Sequence, residues 1–192
     1  MTRNARVLEV ILRSAGRGVA ITRLQKLAYM ADLLAWRTLG RPISELRYAR
    51  DRHGPHDGAL YSARDELVEA GLANLSEGTT KDGYDFKLVT LSPVAGQGSH
   101  DLTAGELHII NHVVQRYLSM DLGELLNDVV YKTTPMTKVE RRGGLLPMEA
   151  EKNKDSNELG GISLEQVLRS REEFARGEYV TLDQLKAELS EK

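Results

Sequence analysis

The sequence predicts an α+β fold, predominantly helical, and three observations carry that reading. Apolar residues recur at helical spacing in two successive segments, each closed by a glycine breaker. A third helical segment follows Gly54-Pro55. A stretch of alternating apolar and polar residues then flanks Asp82-Gly83. Three helices and a β-hairpin give a winged-helix-like core, with two further helices and a C-terminal helical tail. That architecture is widely used and says little about function.

Val7, Leu8, Ile11 and Leu12 mark the first helix, which Gly16-Arg17-Gly18 ends. Thr22 to Gln25 reads as a capping box for the second, whose stripe of Leu24, Leu27, Ala28, Ala31, Leu34 and Ala35 predicts deep burial. Gly40-Arg41-Pro42 stops it, and residues 43–53 read as extended or irregular. Asp57 suits the cap of a third helix carrying Leu60, Ala63 and Leu67 and ending at Gly71. Residues 72–75 and 84–91 then form the hairpin, with Tyr84, Phe86 and Leu88 alternating against Asp85 and Lys87.

After a Gly/Ser-rich connector, Thr103 to Glu106 caps a fourth helix and Asp121 to Glu124 a fifth. The compact domain is expected to span residues 1–135. Residues 135–161 hold two prolines and two Gly-Gly pairs, and 136–161 read as a flexible linker. Residues 162–192 form the tail, with caps at Ser163 and Thr181. Its amphipathic pieces cannot bury their apolar faces alone, so they fold back or meet a partner.

The totals exclude several classes. Formal net charge is −2, with no global basic bias, although residues 1–72 carry 12 Lys/Arg against 8 Asp/Glu. With 0 cysteines there is no disulfide, thiolate metal site or cysteine nucleophile, which fits a reducing compartment. No apolar run has the length of a membrane span, and the chain start lacks a signal-peptide core; a soluble cytoplasmic protein is expected.

Candidate chemistry gathers at residues 47–67. His53 and His56 lie beside Asp51, Asp57 and Arg50, the types an acid/base or metal site uses, but no nucleophile or third ligand stands out nearby. The plainer reading makes His53 a backbone-bonding residue of the Gly54-Pro55 turn. His108 and His112 share a helix face at zinc-like spacing, without the glutamate or third ligand zinc requires. No phosphate-binding glycine loop occurs. No catalytic residue, cofactor or metal is therefore expected, and the protein reads as a non-enzyme. Arg47, Arg50, Arg52 and Arg64 suit either phosphate or protein carboxylates. Asp51, Asp57, Asp65 and Glu66 interrupt that surface and count against DNA. Tyr29, Met30, Trp36 and Tyr61 read as core residues or as interface anchors.

Residues 24–67 carry a succession of motifs: Lys26-Leu27-x-Tyr29-x-Ala31-Asp32, then Gly40-Arg41-Pro42-Ile43, then Tyr48, His53-Gly54-Pro55 and Leu60-Tyr61. In order and spacing these resemble the signature of the Panacea domain, also called the SocA-like antitoxin domain, over about residues 5–135. One departure is at the end, where family members often have His followed shortly by Pro-Trp and this chain has Val130-Tyr-Lys-Thr-Thr-Pro135-Met. The resemblance implies an antitoxin that binds and neutralises a cognate protein toxin, as family members do, one of them by presenting its toxin to an ATP-dependent protease. Residues 176–189 also resemble the toxin-wrapping tail of small antitoxins. The expected partner-binding residues are Lys26, Tyr29, Asp32, Arg50, His53, Pro55, Tyr61 and Arg64 in the domain, and Tyr179, Leu182 and Leu185 in the tail. The rival reading is a winged-helix DNA-binding transcriptional regulator acting on operator DNA; a homo-oligomer stays open.

Overall fold

The structure, a computed structural model, describes residues 1–79, 83, 85–93, 101–152 and 154. The expected tail, with Tyr179, Leu182 and Leu185, lies outside the described residues, as do Tyr84 and residues 155–161 of the expected linker.

Helix α1 (Arg3–Ala15) opens on a Thr2 side chain that accepts from the Ala5 amide and closes at Gly16, whose φ of 61° satisfies the last carbonyls in a left-handed turn. Strand β1 (Val19–Ala20) leads directly into α2 (Ile21–Leu39). Here the expected Thr22–Gln25 capping box does not form. Val19 and Ala20 pair with Val89 and Leu88, so the sheet delivers the chain into its first helical turn at Ile21, and Ala20 is the N-cap with no side-chain bond. Gly18 is required for this approach, because a Cβ there would lie 2.6 Å from Leu88.

All six stripe residues of α2 are buried, and so are Gln25, Lys26 and Asp32. A fully buried Leu contributes about 1.5–3 kcal/mol, which is why α2 serves as the central support of the domain. The segment expected to be irregular contains a small hairpin, β2 (Ala49–Asp51) with β3 (Gly54–His56), in which Arg50 faces Pro55 and Asp51 faces Gly54. Helix α3 (Ala59–Glu69) follows, with Gly58 as N-cap and the Asp57 Oδ1 accepting from the Ala59 amide at 2.9 Å. Strands β4 (Ala73–Thr79) and β5 (Asp85–Leu91) form the expected antiparallel hairpin, and β1 completes a three-stranded sheet in the order β1-β5-β4.

Helix α4 (Ala104–Tyr117) has the predicted capping box, with Thr103 bonded to the Glu106 amide and Glu106 returning to the Thr103 amide. Glu106 is fully buried and also binds Arg3 at 2.5 Å and Arg41 at 2.7 Å, tying α1, the exit of α2 and α4 together. Burial alone would raise its pKa, but the Thr103 amide and the two guanidiniums hold it below the ordinary glutamate value.

The expected fifth helix is irregular. A single turn, α5 (Leu122–Glu124), capped by Asp121, runs into a π-helical turn at Leu125–Val129 and a 3-10 turn at Val130–Lys132. Leu125 and Val130 are both fully buried five residues apart, a spacing that an α-helix would splay by about 140° and a wider π turn brings to one side.

The largest departure lies beyond residue 135. The flexible linker expected over 136–161 does not describe residues 136–152, which pack against the domain. A short helix, α6 (Thr134–Lys138), buries Met136, and residues 143–146 add to the free edge of β2. Arg50 and Gly144 share a bond of 2.9 Å, Gly143 and Arg50 one of 2.7 Å, and Leu146 and Tyr48 one of 2.8 Å. A 3-10 turn at Met148–Glu151 then brings Glu151, fully buried, to Arg37 of α2 at 2.5 Å. Backbone pairing and one enclosed ion pair replace the apolar periodicity that the segment lacks.

Because both charges are enclosed, removing the Glu151 carboxylate takes from Arg37 its short buried ion pair, a loss of about 3–5 kcal/mol. Glu151→Ala is expected to lower the urea-unfolding free energy by about 3 kcal/mol or more, and the double change Arg37→Met with Glu151→Met to recover most of it.

Candidate partner-binding site

Three polar side chains on α2, spaced three residues apart, each hold a different part of residues 40–58. Asp32 is 1% exposed. Its Oδ1 accepts from the Ile43 and Ser44 amides, each at 2.8 Å, and its Oδ2 from the Tyr48 hydroxyl at 2.8 Å and the Ser44 hydroxyl. Burial raises the pKa of this carboxyl above the ordinary aspartate value, and the four donors oppose that rise only in part. Tyr29 meets Tyr48 edge to face, with ring centroids 5.2 Å apart, and its hydroxyl pairs with Thr133 at 2.6 Å. Lys26 donates to the Pro55 carbonyl at 2.9 Å. Gln25 completes the set, giving its amide to the Asp57 carbonyl at 2.9 Å and receiving the Asp57 amide at 3.2 Å.

Lys26, Tyr29, Asp32 and Pro55, expected as partner contacts, serve as supports of the fold, and Lys26 also lines a small recess beneath Tyr61. All four are buried, and each is occupied with holding the segment that follows α2. Arg50 is also committed inward: it donates to the Met136 carbonyl at 2.6 Å and lies 5.7 Å from the Tyr131 ring. His53 stands exposed in the two-residue turn between β2 and β3 and makes no hydrogen bond to the described residues, so it does not brace the turn as expected.

What those buried groups present outward is a surface on α3 and the small hairpin. Tyr61 is 37% exposed, with the Arg64 guanidinium 5.2 Å above its ring and His56 5.6 Å to the side. Arg64 also pairs with Asp65 at 2.7 Å. Beside them lies a recess of about 140 Å³ lined by Thr22, Lys26, Asp51, His53, His56 and Tyr61 among others. On the other side of the hairpin, Asp32 and Tyr48 line part of a groove of about 460 Å³ whose walls include Trp36, Leu46, Leu145 and Met148. Leu145 is 63% exposed there. Sequence reasoning passed over Leu145 and Met148 because they sit in a glycine- and proline-rich stretch. The adjacent pair Leu145-Leu146 was the available signal.

Among the described residues no group of three His, Asp or Glu side chains is placed to hold a metal ion, and no helix is long and apolar enough to cross a membrane. His108 and His112 lie on α4, where burial lowers the His112 pKa from its ordinary value.

Burial also holds the Lys26 ammonium down to about 8, with Asp51 partly opposing the shift. The unfolded chain keeps this proton to about pH 10.5 and the folded chain only to about 8, so unfolding takes up a proton between those values and stability rises with pH there. The rise from pH 8 to pH 9.5 amounts to about 2 kcal/mol. Above about pH 10 Tyr29 and Tyr48, both pushed up by burial, act in the opposite sense. Urea unfolding of the native chain is expected to show this rise, and Lys26→Met to abolish it.

Residues 24–134 match the family model described as antitoxin SocA-like, Panacea domain. No curated protein and no solved structure matches the chain. The match begins at Leu24, where the buried stripe of α2 starts. It ends beside Thr133, the partner of Tyr29, and so encloses the whole network of Lys26, Tyr29, Asp32 and Tyr48. The chain therefore belongs to the family of SocA-like antitoxins that carry the Panacea domain.

Proposed function

We propose that this protein is the antitoxin of a toxin–antitoxin pair and neutralises its cognate protein toxin by direct, non-enzymatic binding. Membership of an antitoxin family over residues 24–134 carries the reading. The geometry supplies its form: buried signature residues fix a platform from inside, and Tyr61, backed by Arg64, and His53 form the outward contacts. Leu145 and Trp36 offer a second, apolar anchor in the groove beside Tyr48. A few aromatic and apolar anchors of this kind dominate binding energy, with arginines supplying orientation at the rim.

Two features support a protein partner over operator DNA. Arg50 is engaged by the Met136 carbonyl, and Arg64 by Asp65 and the Tyr61 ring, so neither presents an uncommitted guanidinium to phosphate. Presentation of the bound toxin to an ATP-dependent protease is a later step of the same reading and rests on the resemblance alone. The absence of cysteine supports a reducing, cytoplasmic setting for both partners.

Co-expression with the product of the adjacent open reading frame tests the proposal. The two proteins are expected to co-elute in size exclusion, and Tyr61→Ala, which removes an exposed ring at no cost to the core, to weaken the complex by about 30-fold. No complex, with the neighbour's toxicity unchanged, would contradict it. A salt-sensitive shift of promoter DNA would favour the regulator reading instead.

A further inference from the structure

Lys26 is 2% exposed, yet its ammonium makes one hydrogen bond, to the Pro55 carbonyl, where it has three N–H groups to place. Among the described residues no carboxylate forms an ion pair with it. The nearest acid acting on it, Asp51, is already bonded by Arg142 at 2.6 Å and by the Arg52 amide. An enclosed, unpaired ammonium is expensive, and such groups are normally matched by an anion.

The recess of about 140 Å³ that Lys26 lines holds several side-chain donors with no other use, beside Asp51 and the committed Gln25. The side chains of Thr22, His53, His56 and Tyr61 make no hydrogen bond to the described residues. Gly54 keeps the recess close to the ammonium: at a φ of 86°, a Cβ would stand 3.7 Å from the Lys26 Nζ and 2.9 Å from Leu126. The charge count selects the ligand. The Lys26 ammonium matches one negative charge, and Asp51, which also lines the recess, opposes a second.

We infer that the recess between Lys26, His53, His56 and Tyr61 is a binding site for a single carboxylate, presented by an Asp or Glu side chain of the protein partner. The partner's identity as the toxin rests on the function proposed above; the recess itself does not. The carboxylate takes the two unused N–H groups of Lys26 and is flanked by the imidazoles and hydroxyls, so the ammonium becomes paired only in the complex.

The full chain is titrated with sodium acetate, and separately with inorganic phosphate and sodium chloride, while the histidine Cε1–H resonances are followed by NMR at about pH 7.5. Acetate is expected to shift His53 and His56 saturably with millimolar affinity, chloride not at all, and phosphate more weakly than acetate. Lys26→Met is expected to lose at least about tenfold in acetate affinity. His53→Ala, at an exposed turn where the fold is indifferent, is expected to lose about threefold, and supplies the result if the Lys26 variant fails to fold. Shifts that stay linear with acetate would overturn the inference, as would affinity unchanged in the folded variants. Tighter binding of phosphate would replace the carboxylate with a phosphate group and overturn it too. Saturable acetate binding without a toxin complex would retain the recess and remove the antitoxin reading; a complex without acetate binding would do the reverse.

Discussion

The carboxylate of Asp32 is the constraint on which the rest of the domain depends. Placing that charge in the core costs several kcal/mol unless its oxygens are fully occupied, and here two amides and two hydroxyls from residues 43–48 occupy them. The chain leaving α2 at Gly40 must therefore turn back along the helix. That return path sets Tyr48 against Tyr29, starts β2 at Ala49 and leaves an edge for residues 143–146. One buried acid thus converts a glycine-terminated helix into the support for a second layer.

The same device recurs wherever apolar side chains are few. Glu106 gathers Arg3 and Arg41, and Glu151 takes Arg37, so each enclosed carboxylate joins segments distant in sequence. Such pairs add little net stability over apolar substitutes, but they reject alternative packings, because any other arrangement leaves a charge alone in the core. The consequence for function is positional. The exposed residues Tyr61 and His53 stand on a helix start and hairpin that Gln25, Lys26 and Asp57 fix from behind. A preorganised contact surface of this kind loses little conformational freedom on binding.

Much of this was legible in the sequence, for identifiable reasons. Helical spacing in Leu24, Leu27, Ala28, Ala31 and Leu34 located α2 and its burial, and Thr103 with Glu106 located the start of α4 to the residue. Strand β1 escaped notice because two residues carry no periodicity, and its pairing with β5 is also what displaced the expected cap at Thr22. Residues 136–152 escaped because their order comes from backbone pairing and the Arg37–Glu151 contact, neither of which leaves an apolar pattern. The motif residues Lys26, Tyr29 and Asp32 were found, but their support of residues 40–58 was not foreseen. Polar groups set among Leu24, Leu27, Met30 and Leu33 lie in the buried middle of α2, where burial requires that they find partners within the fold.

Amide hydrogen exchange at Ile43 and Ser44 tests most directly whether Asp32 holds this platform together. In the native chain both amides should exchange only through global unfolding, with protection matching that of the core of α2, and in Asp32→Ala protection should fall across residues 43–56 while α1 and α4 keep theirs. Rapid exchange of Ile43 and Ser44 in the native chain, or unchanged protection of residues 43–56 in Asp32→Ala, would contradict the account.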